Sequence, residues 1–299
     1  MMLKKIVSPL PKRVLRIKGM IITTIKEMQA FADVTRAAGK TIGLVPTMGY
    51  LHDGHASLIK IARQQADVVV TSIYVNPTQF GPNEDFAAYP RDLEGDKKTA
   101  YAAGCDVLFV PDDREMYGKT CLTTVQVKKL TDGLCGKSRP GHFEGVTTVV
   151  GKLFNIIKPH VAVFGQKDAQ QALVIKRMVQ DLNFDIRIII APIVREPDGL
   201  AMSSRNKYLS PAERQDALVL YRALQKAQSS IRNGETDAAI VIQAMTGMIA
   251  AIESARIDYV QIVDAETLET VNRIQGSVLV ALAVFIGRTR LIDNIILNN

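Results

Sequence analysis

The chain has 299 residues, 47% of them hydrophobic and 22% charged, with a formal net charge of +7. That length buries a sizeable core and fits two domains, or one large domain with an appendage, and no apolar run approaches the roughly 20 residues that span a bilayer. The charge does not describe a nucleic-acid surface, because Lys4, Lys5, Lys12, Arg13, Arg16 and Lys18 lie in residues 1–19 without an acid and account for nearly all of it.

This basic leader has no signal-peptide core and contains Pro9 and Pro11, so it reads as a dispensable extension, with Met1 or Met20 as the start. A helical stretch at 24–38 then precedes an apolar run at 41–45. That run reads as a buried strand and ends in the turn residues Pro46, Thr47, Met48 and Gly49. Leu58, Ile61 and Ala62 repeat at helical spacing, which predicts a helix over 52–66. Residues 68–75 are almost continuously β-branched, as in a strand covered on both faces, and run into the polar loop 76–81. A further helix leads to strand 107–110. Strand 161–164 follows, then a helix with Val174, Met178 and Leu182 on one face, then strand 186–190.

Strands alternating with helices predict an α/β fold built on a doubly wound, Rossmann-like parallel sheet. Near residue 195 the pattern changes. Ser210, Pro211 and Glu213 carry the N-cap, first-position proline and capping box of a helix start, for one helix reaching Asn233 and Gly234. A second helix covers 237–254, and strand-like runs at 259–263, 277–286 and 291–296 follow without long helices between them. The expected organisation is the extension 1–19, a Rossmann-like ligand-binding domain over 20–194, and a smaller C-terminal α+β lid domain over 195–299.

Cys105, Cys121 and Cys135 show no C-x-x-C spacing, as expected of reduced thiols in a cytoplasmic protein. Two of the four histidines stand in His52-Asp53-Gly54-His55, where a strand gives way to a helix. In an open α/β sheet that is the ligand crevice, and helix N-termini favour anions. The pair admits three readings: half of a metal site that lacks further ligands nearby, a structural pair, or imidazoles facing phosphate. The loops 46–49, 76–79 and 165–168 all follow carboxyl ends of expected parallel strands and should face one crevice. Met202-Ser203-Ser204-Arg205 sets a cation among hydroxyls just before the capped helix. Rival fingerprints fail: there is no G-x-G-x-x-G after an early strand, no G-x-S-x-G, and the P-loop-like run 133–138 has Thr131 where its leading glycine belongs.

Five motifs now stand in order: VPTMGYLHDGH at 45–55, NPTQF at 76–80, RPGHF at 139–143, GQKDAQQ at 165–171 and MSSRN at 202–206. Together, over residues 21–299, the chain resembles the pantothenate synthetase family, the AMP-forming pantoate–β-alanine ligases of the HIGH-signature nucleotidyltransferase superfamily. The resemblance implies attack of pantoate on the α-phosphorus of ATP to give pantoyl adenylate and pyrophosphate, then attack by the amine of β-alanine to release AMP. It implies ATP contacts at Met48, Gly49, Tyr50, Leu51, His52, Asp53, Gly54, His55, Gly165, Gln166, Lys167, Asp168, Val194, Met202, Ser203, Ser204 and Arg205.

By the same resemblance Gln79 and Gln171 hold pantoate, with Gln79 also near β-alanine, and His55 is the family's proton donor. His52, His55, Lys167 and Arg205 are the expected donors that offset phosphate charge, with Mg²⁺ on the nucleotide. Residues 195–199 are expected to hinge the 202–205 segment over ATP. A homodimer in the cytoplasm is implied, with small-molecule substrates and neither nucleic acid nor membrane as partner. Two positions depart from the family: Gln166 replaces a Glu, and Ala169 replaces an aromatic found in some members. The alternatives are a nucleotidyltransferase that leaves AMP on a phosphorylated acceptor, and a nucleotide-sensing or RNA-associated module using the leader.

Overall fold

Alternating side chains along six short apolar strands build the central layer of the molecule. A computed structural model describes residues 18–82 and 84–298. The basic run 1–17 lies outside the described residues, and with it the expectation that the leader is dispensable.

The first half of the chain gives β1 (Met20–Ile22), α1 (Ile25–Ala37), β2 (Ile42–Thr47), α2 (Asp53–Gln65), β3 (Val68–Ile73), α3 (Leu93–Ala103) and β4 (Val107–Phe109). Then come the short helices α4 (Asp113–Tyr117) and α5 (Leu134–Ser138), followed by α6 (His142–Ile157), β5 (Val161–Gly165), α7 (Ala169–Asp181) and β6 (Arg187–Ala191). All six strands are parallel, in the order β1-β4-β3-β2-β5-β6. Because side chains alternate along a strand, Leu44, Val70, Phe109 and Phe164 meet α1, α6 and α7 on one face. Val45, Val69, Leu108 and Val163 meet α2 and α3 on the other. Both faces are therefore covered, as the nearly continuous apolar strands require.

The second half gives α8 (Pro211–Asp216), α9 (Leu218–Arg232) and α10 (Ala238–Ala250), then β7 (Ala255–Asp264), β8 (Ser277–Ile286) and β9 (Thr289–Asn298) in an antiparallel sheet of order β7-β8-β9. One face of β8 sends Val278, Val280, Leu282, Val284 and Ile286 against α9 and α10. The opposite face sends Leu279 and Ala281 towards Leu134 and Ala169 of the parallel-sheet half. The small sheet is thus sandwiched, with one side placed against the loops that follow β5. Ala169 is buried in that contact.

Four sequence expectations need correction. β1, only three residues long, lies beside the leader where no strand is expected. α6 escapes the sequence reading because its β-branched residues and two glycines give low helix propensity; it is nevertheless buried on most of its surface, as a helix apolar all round must be. The single helix expected from Ser210 to Asn233 is two, because Leu218, Val219 and Leu220 are all buried and the backbone tightens at Ala217 to take them inward. Leu182, expected on a buried face with Val174 and Met178, instead caps the end of α7 and is 51% exposed.

Candidate active site

In this strand order, β2 and β5 are neighbours whose onward connections leave in opposite directions, so their carboxyl ends flank the topological switch point. The turn after β2 has Gly49 at φ 84° and Tyr50 at φ 52°, both left-handed. Asp96, buried on α3, holds this turn by accepting the backbone N–H of Tyr50 at 3.0 Å and of Leu51 at 2.6 Å. A Cβ at position 49 would lie 2.9 Å from the Asp96 carboxylate, so the close approach as well as the dihedral calls for glycine. No sequence signal singles out Asp96, because it lies on a helix outside every motif.

The turn delivers His52 to the N-cap of α2, where the two histidines form a capping box. His52 Nδ1 accepts the Gly54 N–H at 3.1 Å, and His55 Nδ1 accepts the His52 N–H at 3.3 Å. A side chain on Gly54 would come within 2.8 Å of the His52 ring, which explains the glycine between them. With each Nδ1 accepting, the proton of the neutral ring resides on Nε2. Burial and the Lys167 ammonium lower His52 to about 4. Burial, then His52 and Lys167, hold His55 well below the ordinary imidazole value. Each Nδ1 lone pair is taken by a backbone N–H, which fixes the tautomer with Nε2–H outward and favours the phosphate-facing reading over a metal pair.

The cleft in front of them spans about 1270 Å³, the solvent at its open mouth included. It is lined by Met48, His52, Gly54 and His55 from the first loop, Gln79 from the second, and Gly165, Lys167, Asp168 and Gln171 from the third. Val194, Met202, Ser203, Ser204 and Arg205 close it from the other side. The structure thus brings together most of the residues nominated by sequence. Five are not on the wall. Gly49, Tyr50 and Leu51 shape the turn behind it, Asp53 is exposed on the first turn of α2, and Gln166 turns to Asn294 on β9. The wall also contains residues that sequence reading missed: Val146, Val149, Val150 and Leu153 of α6, with Phe164 and Tyr89. The i, i+3, i+4, i+7 spacing of the four α6 residues was the available signal.

Gln79 is held from both ends. Its Oε1 accepts from Asn76 Nδ2 at 3.1 Å and its Nε2 donates to Met48 Sδ at 3.0 Å. Its backbone carbonyl accepts from His142 Nδ1 at 2.8 Å and from Arg139 Nη2 at 3.3 Å. Arg139 is itself fixed by a bidentate pair with Glu84, at 2.7 and 2.6 Å. The 139–143 motif therefore orients the amide loop and does not itself line this cleft.

The roof is a meeting of loop 84–91 with segment 203–208. Arg205 makes a bidentate pair with Asp85 at 3.0 and 2.8 Å, and the Tyr208 hydroxyl donates to the Ala88 carbonyl at 3.0 Å. Ser204 Oγ reaches the Tyr50 carbonyl at 3.3 Å, and the Lys207 ammonium lies 4.2 Å from the Tyr50 ring centroid. Lys167 Nζ stands 3.7 Å from the Asp168 carboxylate. Residues 195–201, which include the expected hinge, form a tight hairpin in which Arg195 pairs with Ala201 and bridges to Asp293.

The histidines also predict how stability depends on pH. Burial, then the Arg139 guanidinium, lower His142 to about 4, as burial does for His52. A folded-state value below the unfolded 6.5 means that unfolding takes up protons, so this stability is complete above pH 6.5 and drains away as pH falls towards about 4. Each ring accounts for on the order of 3 kcal/mol. Urea unfolding is expected to show a falling midpoint across that window, with a shallower fall in His142→Gln. Identical slopes for the two proteins would exclude His142 as a contributor.

A sequence model of the family described as pantoate-beta-alanine ligase matches residues 20–296. The chain is 60% identical over 277 residues to a pantothenate synthetase of Moorella thermoacetica, covering 93% of this chain and 98% of that one. A crystal structure of pantothenate synthetase from Thermus thermophilus superposes with a TM-score of 0.87 at 44% identity, over 92% of this chain and 98% of that one. A pantoate-beta-alanine ligase from Francisella tularensis, crystallised with beta-gamma ATP and beta-alanine, superposes with a TM-score of 0.77 at 36% identity, over 92% of this chain and 97% of its own. With the fold, the cleft and these relatives in agreement, the chain belongs to the pantoate-beta-alanine ligase family.

Proposed function

We propose that the chain condenses pantoate with β-alanine, driven by ATP, through a pantoyl adenylate. The observation that carries this reading is a single cleft with two chemically different walls. One wall is apolar, made by Val146, Val149, Val150, Leu153 and Phe164, and ends in the amides of Gln79 and Gln171. It suits a short acid whose quaternary dimethyl carbon needs an apolar surface while its hydroxyls and carboxylate take uncharged hydrogen bonds. The other wall sets His52 and His55 at the start of α2 beside Lys167 from the turn after β5 and Ser203, Ser204 and Arg205 from the facing segment, an arrangement of donors for phosphate.

In the first step a pantoate carboxylate oxygen bonds to the α-phosphorus and the bond to the pyrophosphate oxygen breaks, the electron pair leaving with pyrophosphate. In the second the β-alanine nitrogen bonds to the acyl carbon, AMP departs with the acyl-oxygen pair, and the amine releases its extra proton. Negative charge grows first on the α-phosphate oxygens and the leaving group, where neutral Nε2–H donors and a lysine stabilise it most. Met48, His52, Gly54, His55, Gly165, Lys167, Asp168, Val194 and Met202 to Arg205 form the ATP site in this reading, with Gly49, Tyr50, Leu51 and Gln166 shaping the turns that carry them. Arg205 exchanges Asp85 for phosphate as nucleotide enters, and the roof then keeps water from the adenylate.

Nucleotide-borne Mg²⁺ fits the same wall. The Asp168 carboxylate is half-exposed in the cleft, the single-carboxylate support that Mg²⁺ on phosphates ordinarily takes. The ion supplies charge neutralisation on the phosphate oxygens. A homodimer in the cytoplasm completes the reading. β6 is an edge strand with Ile190 38% exposed, an apolar edge of the kind that a second copy covers. The domain division at 194/195 also belongs here, supported by the change from the parallel to the antiparallel sheet. Among the described residues no helix is long and apolar enough to cross a membrane.

The test is AMP release from ATP with pantoate and β-alanine, each omitted in turn. AMP is expected only with all three, and a pyrophosphate burst with ATP and pantoate alone. A stable product that retains AMP on a phosphorylated acceptor, formed with neither pantoate nor an amine present, would replace this reading with that of a plain nucleotidyltransferase.

A further inference from the structure

The 3₁₀ turn at Gln166–Asp168, which carries Lys167, has no side-chain cap of its own. Its support comes from the other sheet. Asn294 of β9 is 3% exposed, and its Nδ2 donates to the Gln166 carbonyl at 3.0 Å and to the Lys167 carbonyl at 2.9 Å. Its Oδ1 accepts the Gln166 Nε2 at 3.3 Å. Two carbonyl acceptors fix which end of the Asn294 amide faces the turn, so Oδ1 must look for a donor at side chain 166. A glutamine supplies one and an ionised glutamate does not. Side chain 166 is therefore matched to its partner in this chain.

The neighbouring residue ties in the opposite wall. The Asp293 carboxylate, 2% exposed, accepts from Arg195 at 2.6 and 3.0 Å and from the Asn294 N–H at 2.8 Å. Arg195 also donates to the Gly199 carbonyl and stacks over Tyr221 at 4.6 Å, which fixes the hairpin leading to Met202–Arg205. Two consecutive residues of one strand thus set the distance between the Lys167 turn and the Ser203–Arg205 segment across the cleft.

From this we infer that Asn294 is a positioning residue for Lys167, through which the C-terminal sheet acts on adenylate formation. The inference rests on the ligase reading above. A merely structural asparagine would lower stability and slow both half-reactions together, whereas one acting through Lys167 slows the step that the lysine serves.

Single-turnover measurements on the full chain separate these. Asn294→Ala is expected to slow the pantoate-dependent pyrophosphate burst by about 10- to 100-fold, the scale of an ångström-level misplacement, and to leave β-alanine capture of preformed pantoyl adenylate within about threefold. In a Lys167→Ala background the same change should add less than about threefold, because the two act as one unit. Gln166→Ala and Gln166→Glu, which leave Asn294 in place, should slow the same step by smaller factors and keep the inference testable if Asn294→Ala folds poorly. Equal slowing of both half-reactions, full additivity with Lys167→Ala, or an unchanged burst in Asn294→Ala and both Gln166 variants would overturn it. A wild-type chain that releases no AMP with the three substrates overturns the ligase reading, and this inference with it.

Discussion

His55→Ala is expected to lower turnover by about 10²–10³, the usual cost of deleting one donor aimed at developing charge, with a smaller change in apparent ATP affinity. The geometry gives the reason. His55 Nδ1 is occupied by the His52 N–H, so the single proton of the neutral ring sits on Nε2. Burial beside His52 and Lys167 keeps the ring neutral far below pH 6.5. An N–H of this kind costs no charge desolvation in the resting cleft and gains most when phosphate oxygens become more negative. Loss of the cap itself costs about 1 kcal/mol of stability, so the variant should remain folded, and thermal unfolding separates the two effects. Turnover should also stay flat as pH falls through 6.5, since no His55 charge change occurs there. Wild-type turnover in folded His55→Ala would remove this residue from the mechanism.

The legible part of the site was the part encoded by turns and caps. Pro46–Gly49, His52–His55 and Gly165–Asp168 could be placed at strand ends because strand length, turn residues and helical spacing are local properties, and the observed sheet order then brings those ends together. The pairings that hold the site are not local. Asp96 reaches the Tyr50 turn from α3, Asp85 reaches Arg205, and Asn294 reaches Lys167 from the last strand. Each is one polar residue in an ordinary stretch, and nothing in its own neighbourhood announces its partner.

α6 failed for a different reason. A helix buried nearly all round has little polar face to sharpen its period, so the spacing of residues 146, 149, 150 and 153 is set against valines and threonines that read equally well as strand. The same features make it a suitable wall for an apolar acid. Arg205 lines the cleft as expected, but its guanidinium is engaged by Asp85, a partner that nothing near residues 202–205 announces.

Lys167 and Gln79 are expected to divide the reaction between them. Lys167 lies on the donor wall of the cleft, its field felt by both histidines. Its charge is of use while the α-phosphate passes from pyrophosphate to carboxylate. Lys167→Ala should therefore slow the pyrophosphate burst by about 10²–10³ and affect capture of preformed pantoyl adenylate by β-alanine far less. Gln79 sits on the opposite side, 9% exposed, with its amide already oriented by Asn76 and Met48 and its carbonyl clamped by His142 and Arg139. An uncharged amide so fixed grips the acid in both half-reactions, because the pantoyl group stays in place while its leaving group changes. Gln79→Ala should weaken pantoate binding by about tenfold, the worth of one or two neutral hydrogen bonds, and should slow both steps. The contrast is the informative measurement. If Lys167→Ala slowed amine capture as much as adenylation, the lysine would be serving the acyl group and not the phosphate. If Gln79→Ala left amine capture intact, the amide would be a ground-state contact to free pantoate alone.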